Sequence, residues 1–357
     1  MKAIAEKCNV FASDDIEKDL REVLKSYDAT QVFLLTDKGS EKNCRKGIDC
    51  LETIDDRHRI CIDNGDDAKD YTSAIRIWQA LSDGGATRKA VLINLGGGMP
   101  CDLGGFCAST FKRGISFINI PTTLLSQVDA SLGGKTGMNL GQLKNEIGTF
   151  RMANKVLISS KFLRTLDKEN LLSGFAEMIK HGLIYKGEIV DKLLDFDFEN
   201  IDYDKLQALV EESIQIKEHF VLADPEEKGL RKALNFGHTF GHAFETLSMR
   251  RHRPILHGYA VAYGMVCELL LSAEQMGLDK QRATAIGQKL LRMYGTYEMP
   301  EGSEATLLEL MGHDKKNDGH GINFTLLPEV GRVEVNQIGS PTEISKILAD
   351  FGKMQKA

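Results

Sequence analysis

Short apolar runs alternate with helical spacings over residues 1–160. Gln31-Val32-Phe33-Leu34-Leu35 is closed by Thr36-Asp37-Lys38-Gly39, and His58 to Asp63 forms a second short run. From Ala68 to Leu81, the positions Ile75, Ile77, Trp78 and Leu81 recur at helical spacing. Ala90-Val91-Leu92-Ile93-Asn94-Leu95 runs straight into Gly96-Gly97-Gly98. Ile115 to Ile120 stops at Pro121-Thr122-Thr123, and Val156-Leu157-Ile158 is a further run. Short strands alternating with helices predict a parallel sheet, because parallel neighbours need a helix-sized crossover. After Ser160 the period changes. Helices are predicted over Asn170–Ile184, Glu188–Leu194, Tyr203–Val221, Ala233–Leu247, Tyr259–Met276 and Asp279–Tyr294. Ile322 to Val335 is strand-like and divided at Pro328-Glu329-Val330-Gly331, which predicts a hairpin. The expected architecture is an α/β N-terminal domain with a Rossmann-like parallel sheet, residues 1–160, followed by a mainly α-helical domain, residues 161–357. The boundary falls in Ile158-Ser159-Ser160-Lys161.

Charge and composition narrow the partners. Lys+Arg is 45 and Asp+Glu is 51, a net charge of -6, which is the wrong sign for a polyanion-binding surface. No apolar run approaches the ~20 residues that cross a bilayer, and Met1 to Leu20 has no signal-peptide core. The seven cysteines form no C-x-x-C pair, and an odd count suits reduced thiols better than a disulfide frame. A cytoplasmic protein acting on a small molecule is expected, with no nucleic-acid or membrane partner.

Glycine is abundant, 34 residues against 7 prolines, and its placement is informative. Gly96-Gly97-Gly98 follows an apolar strand and precedes a helix-like segment that contains Asp102. A strand, a glycine turn and a helix N-terminus let backbone amides approach a pyrophosphate. The G-x-G-x-x-G spacing is absent. A second cluster spans Gln127 to Asn139 and includes Gly133-Gly134-Lys135-Thr136. It is not a P-loop, since Asp129 stands where the first glycine of that motif belongs. Its loop presents Asp129 and Lys135, with Lys144-Asn145 following, in a form suited to a phosphate or carboxylate.

Candidate metal ligands lie further on. If Arg231 to Glu245 forms one helix, Arg231, Asn235, His238 and His242 share a face. No Lys, Glu or Asp occurs between Ala233 and Phe244, so that face reads as the lining of a pocket and not as a solvated stripe. His257 precedes the next long helix. Glu177 and Lys180 lie one turn apart in an apolar helix. Two imidazoles, one carboxylate and an open position make a catalytic zinc set; spacing leaves open which two histidines take part.

Together these segments resemble the 3-dehydroquinate synthase family. Gly96 to Asn139, Ser173 to Ile184, Asp224 to Glu245, Leu256 to Met265 and Asp314 to Leu327 follow the family's motifs nearly in register. The resemblance implies a dehydroquinate synthase-like fold and zinc, or alternatively cobalt(II), bound by Glu177, His238 and His257. It implies NAD along Asp37, Asp66, Lys69, Gly97, Gly98, Met99, Asp102, Thr122, Thr123, Lys144 and Phe162 to Thr165. It implies a sugar acid phosphate, 3-deoxy-D-arabino-heptulosonate 7-phosphate, meeting Asp129, Lys135, Asn145, Lys180, Lys217, Arg231, Asn235, His242 and Lys315 of the pair Lys315-Lys316. Arg113 would come from the other subunit of a homodimer, and Glu227 and His242 are the implied proton carriers. The family's reaction oxidises the substrate with NAD, eliminates phosphate, returns the hydride, opens the ring and closes a carbocycle by aldol addition.

Departures from the family pattern are Asp66 for Glu, Tyr259 for the Glu after His257-Gly258, Pro225 for Glu, and a rearranged Asn139 to Asn145. They bear on fine cofactor contacts, not on the reaction class. The competing readings are another sugar-phosphate cyclase, a metal-dependent NAD alcohol dehydrogenase of related fold, and a non-catalytic protein that kept the fold.

Overall fold

The computed structural model describes residues 1–141, 143–312 and 321–356. The chain divides into two units. One contains Met1–Asp167 and Asp202–Glu218, the other Lys168–Ile201 and His219–Ala357.

In chain order the first unit carries β1 (Lys2–Ala5), β2 (Val10–Ala12), α1 (Ile16–Leu24), β3 (Val32–Asp37), α2 (Lys38–Asn43), α3 (Asp49–Glu52), β4 (Arg59–Ile62), α4 (Tyr71–Asp83), β5 (Val91–Gly96), α5 (Gly98–Thr110), β6 (Ser116–Pro121), β7 (Lys135–Leu140), β8 (Leu143–Phe150) and β9 (Lys155–Ile158). Seven strands form one sheet in the order β1-β2-β9-β6-β5-β3-β4. Only β1 and β2 pair antiparallel; the other neighbours are parallel. β5 is buried at every position, as a central strand covered on both faces must be. Leu34, Ile93, Ile118 and Leu157 from four neighbouring strands join Leu20 and Leu51 in one apolar cluster.

The second unit is mostly helical. It carries α6 (Lys168–Ile184), α7 (Val190–Leu194), the last turn of α8 (Tyr203–Ala223), α9 (His238–Arg250), α10 (His257–Gln275), α11 (Lys280–Tyr294), α12 (Glu304–Gly312), the hairpin β10 (Ile322–Glu329) and β11 (Arg332–Gly339), and α13 (Pro341–Met354). α10 is apolar around most of its circumference and packs against α6, α9, α11, α13 and β10, so it is the core helix of this unit.

Two expectations are corrected, and one pair of strands left no mark in the sequence. Gln127 to Asn139 is not one loop: Ser126–Ala130 forms a wide helical turn, and Lys135 opens the β7–β8 hairpin, whose polar, glycine-containing strands hide their period. The antiparallel start, β1–β2, is too short for a periodic signal. Ala233 to Leu247 is not one helix. Leu230–Asn235 forms a 3-10 turn and α9 begins only at His238, because Gly237 sits between them at φ 82. Arg231 and Asn235 therefore do not share a helical face with His238 and His242.

Candidate active site

In the first unit, β3 ends at Asp37 and its parallel neighbour β5 ends at Gly96. From β3 the chain goes to β4 on one side, and from β5 to β6 on the other. The carboxyl ends of β3 and β5 thus flank a topological switch point, where open α/β sheets bind ligands. α5 starts there with Gly97 as N-cap, and no side chain caps its first turn. A Cβ on Gly97 would lie 3.2 Å from Thr123 Cγ2, and one on Gly98 would lie 3.1 Å from Ala130 Cβ, so a side chain at either position would be crowded where a phosphate needs backbone amides. The residues present fit a dinucleotide.

Around this crevice the implied cofactor residues separate into two kinds. Asp66, Lys69, Asp102 and Lys144 form one polar network with the implied substrate residue Asn145. Lys69 Nζ donates to Asp102 Oδ2 at 2.5 Å and also to Asn145; Lys144 Nζ lies 3.1 Å from Asp66 Oδ2. Asn139 ties it together by donating to the Asp66 carbonyl and accepting from Asn145 N at 2.9 Å. Burial pushes the Asp102 carboxyl up, against the pull of Lys69. The others are committed internally. Asp37 Oδ1 accepts from Ser40 N at 2.7 Å as the cap of α2, Thr123 Oγ1 pairs with Ser126 Oγ at 2.9 Å, and Thr122 N donates to Gly96 O at 2.8 Å. Phe162 belongs to the apolar core, and Thr165 Oγ1 donates to its carbonyl at 2.7 Å. Met99 lies in the first turn of α5. Of the implied substrate residues, Lys217 Nζ donates to Asp129 Oδ1 at 2.5 Å and to its carbonyl at 2.6 Å. Lys135 is exposed at the start of β7. Arg113 is exposed in the turn before β6, at the amino end of the sheet, one strand length from the crevice.

In the second unit, three helices bring the implied ligands together. Glu177 is fully buried in α6, His238 is the first residue of α9, and His257 is the first of α10. Glu177 Oε1 is 3.6 Å from His238 Nε2 and 3.7 Å from His257 Nε2, and the three ligand atoms lie within 4.8 Å of one another. The Nδ1 atoms are engaged on the far side, His238 with the Phe236 carbonyl at 3.2 Å and His257 with Glu245 Oε2 at 3.3 Å. Such partners orient an imidazole and leave Nε2 for a cation. Neither Glu177 oxygen accepts a hydrogen bond of good geometry, although Lys180 Nζ ion-pairs with Oε2. A buried carboxylate with unsatisfied lone pairs, facing two oriented imidazoles, fits a divalent metal.

The charges around the triad act on its three members in different directions. Burial pushes the Glu177 carboxyl up, but Lys180, His257 and His238 outweigh it and hold the group well below its ordinary value. Burial and the Lys180 charge keep His238 well below the usual histidine range. Burial opposes charge on His257 too, yet Glu177 and Glu245 raise it to about 10.

Other implied residues surround the triad. The His242 ring lies 5.2 Å from His238 and 5.9 Å from His257. Asn235 Nδ2 donates to Glu227 Oε1 at 3.0 Å, and buried Arg231 donates from Nη1 to the Pro225 carbonyl at 2.7 Å. Lys315 lies outside the described residues. Two residues escaped the sequence reading: Glu245, behind His257, and Glu268, whose carboxylate accepts from Gly237 N and Thr239 N on either side of His238. The available signal was an acid inside an otherwise apolar helical run, seven residues after His238 and eleven after His257.

A glycine-lined switch point in one unit and an acid–imidazole triad in the other define a dinucleotide- and metal-dependent enzyme. The same fold is found in 2-deoxy-scyllo-inosose synthase complexed with carbaglucose-6-phosphate, NAD+ and Co2+, at TM-score 0.83 and 21% identity, covering 98% of this chain and 96% of that one. It is found also in 2-epi-5-epi-valiolone synthase from Streptomyces hygroscopicus subsp. jinggangensis 5008 with NAD+ and Zn2+ bound, at TM-score 0.80 and 21% identity, covering 96% of each chain. The chain belongs to the 3-dehydroquinate synthase family: residues 59–173 match the 3-dehydroquinate synthase N-terminal model and residues 174–317 the C-terminal one. The 3-dehydroquinate synthase of Parabacteroides distasonis is 46% identical over 342 residues, 96% of this chain and 97% of that protein.

Proposed function

We propose that this chain converts 3-deoxy-D-arabino-heptulosonate 7-phosphate into 3-dehydroquinate and phosphate. The observation that carries this is the convergence of Glu177, His238 and His257 in a chain of this family. When bound, NAD supplies a hydride acceptor that is regenerated within each turnover, and zinc or cobalt(II) supplies a Lewis acid for the substrate hydroxyls.

The side chains then bind, orient and move protons. Lys135 and Asn145 suit the phosphate, and the polar network through Lys69 sets the Asn145 amide. Arg231 is fixed by the Pro225 carbonyl and suits a carboxylate, for which its planar fork is matched. Lys217 adds positive charge and is oriented by Asp129. Lys180, almost fully buried, offers a donor beside Glu177. His242 is an exposed imidazole next to the triad and is placed to carry a proton, a role worth about 10²–10⁴ in rate. Glu227 is the second proton carrier, and Asn235 orients its carboxylate.

Incubation with the heptulosonate phosphate and NAD is the test. Phosphate should be released with 3-dehydroquinate as product and no steady rise in NADH. Net NADH accumulation would mean a dehydrogenase, and turnover of a different sugar phosphate alone would mean another cyclase.

We infer a cytoplasmic homodimer. No helix among the described residues is long and apolar enough to cross a membrane, and the cysteines are free thiols, as a reducing compartment keeps them. Arg113 sits at the sheet end opposite the crevice, which supports its donation to a second copy. Mixing an Arg113→Ala chain with a Lys135→Ala chain should therefore restore activity, through hybrid dimers with one intact site. Proven hybrid dimers without rescue would contradict the shared site.

A further inference from the structure

We propose that Glu268 is a positioning residue for the metal site, holding His238 at a fixed distance from His257. This rests on the reading of Glu177, His238 and His257 as ligands. Glu268 is fully buried in α10. Its Oε2 accepts from Gly237 N at 2.6 Å and its Oε1 from Thr239 N at 3.1 Å, so one carboxylate grips both amides flanking His238. These amides belong to the entry of α9, where donors need partners and a negative charge is favoured.

The usual cap is a Ser, Thr, Asp or Asn at the N-cap itself. Here that position is Gly237, at φ 82 and ψ -9, and it offers no side chain. Its backbone packs closely on α10. A Cβ on Gly264 would lie 1.9 Å from the Gly237 carbonyl oxygen, and one on Gly237 would lie 2.6 Å from Met265 Cγ. The cap is therefore supplied by the neighbouring helix and not by the turn itself.

The spacing along α10 gives this cap its consequence. His257 and Glu268 are eleven residues apart, close to three helical turns of 3.6 residues, so they lie along one face. Gly264 lies on the same face, one turn before Glu268. α10 thus carries one ligand at its first residue and fixes the second through Glu268. The Phe236 carbonyl that meets His238 Nδ1 belongs to the same gripped turn. The separation of the two Nε2 atoms is then a property of a single rigid helix.

Glu268→Gln replaces one acceptor by an amide that opposes a backbone N–H. Loss of an outer-shell partner typically costs about 10–100-fold in metal affinity. Zinc affinity, measured by chelator competition, should fall about tenfold or more. The visible absorption bands of the cobalt(II) form should shift, and Glu268→Asp, which keeps the charge, should fall between. A folded Glu268→Gln protein with zinc affinity within about twofold of the parent and an unchanged cobalt spectrum would overturn the proposal, even with a lowered melting temperature, because that is the behaviour of a structural cap alone. If neither variant folds, hydrogen exchange on the parent chain decides. Zinc should slow exchange at the Gly237 and Thr239 amides, and equal rates with and without zinc overturn the proposal. His257→Ala separates the two failures. If it keeps its zinc, the ligand reading itself is wrong; if it loses zinc while Glu268→Gln keeps it, only the role of Glu268 is wrong.

Discussion

Substituting His257 by alanine should empty the metal site and leave a folded protein. His257 opens α10 and its side chain is 29% exposed, so its removal leaves no large cavity. What it removes is one of three donors, together with the route by which Glu245 orients the site. A Lewis acid supplies several kcal/mol of transition-state stabilisation, and each 1.36 kcal/mol is tenfold in rate. Phosphate release should thus fall by about 10²–10⁴-fold in kcat/KM. Bound zinc, measured by elemental analysis after dialysis, should drop below about a tenth of the parent value, with an unchanged far-ultraviolet dichroism spectrum. A fully zinc-loaded His257→Ala protein would contradict the ligand assignment.

Gly258→Ala should be the most damaging of the small substitutions. A Cβ at this position would lie 1.8 Å from the Ser173 carbonyl oxygen and 2.6 Å from the Ser173 Cα. Both atoms are backbone, so no side-chain rotation relieves the clash, and α6 and α10 must separate. The Gly258 N to Ser173 Oγ hydrogen bond at 3.1 Å is strained at the same time. Overpacking in a filled interior costs about 1–3 kcal/mol and occasionally more. At roughly 2–4 °C per kcal/mol, the melting temperature should fall by about 6 °C or more. The site should suffer too: Ser173 is one turn before Glu177, and Gly258 directly follows His257, so separating the helices separates the ligands. Zinc affinity should weaken by about tenfold. Gly352→Ala is the control, since its Cβ would meet only Met299 Cε at 3.9 Å inside α13. It should stabilise the chain slightly, as Gly to Ala in a helix does, and leave zinc affinity unchanged. Equal stability and zinc affinity in both variants would refute the steric account.

The parallel sheet was legible because its strands are buried on both faces. β3, β5, β6 and β9 consist of Val, Leu, Ile and Phe with few interruptions, and each stops at a polar or glycine signal. The long helices α8, α10 and α11 were legible for the related reason that their apolar period persists over several turns. The glycine turn before α5 was legible because a run of three glycines between an apolar strand and a helix is itself a mark in the sequence. The hairpin β7–β8 was not, since Lys135-Thr136-Gly137-Met138-Asn139-Leu140 carries the composition of a loop and is held as a strand by backbone pairing with β8. The break before α9 was not either. Helical spacing through Ala233 to Leu247 is continuous on paper, and only the packing of Gly237 under α10 interrupts it.

The chemical identities were thus set along the chain: an acid in an apolar helix, histidines on a face without charge, lysines beside glycines, and motifs that mark the family. Local sequence fixes these because side-chain chemistry and short-range periodicity are properties of neighbouring residues. Convergence belongs to the tertiary structure. That Glu177, His238 and His257 point their ligand atoms at one point depends on three helices meeting at close-packed glycines, on Glu245 of α9 reaching across to His257, and on Glu268 of α10 reaching across to the amides beside His238. So does the assignment of Asp202–Glu218 to the first unit, which places Lys217 on Asp129. Distances between segments far apart in the chain are decided by packing, which acts on volumes and backbone contacts that no local pattern records.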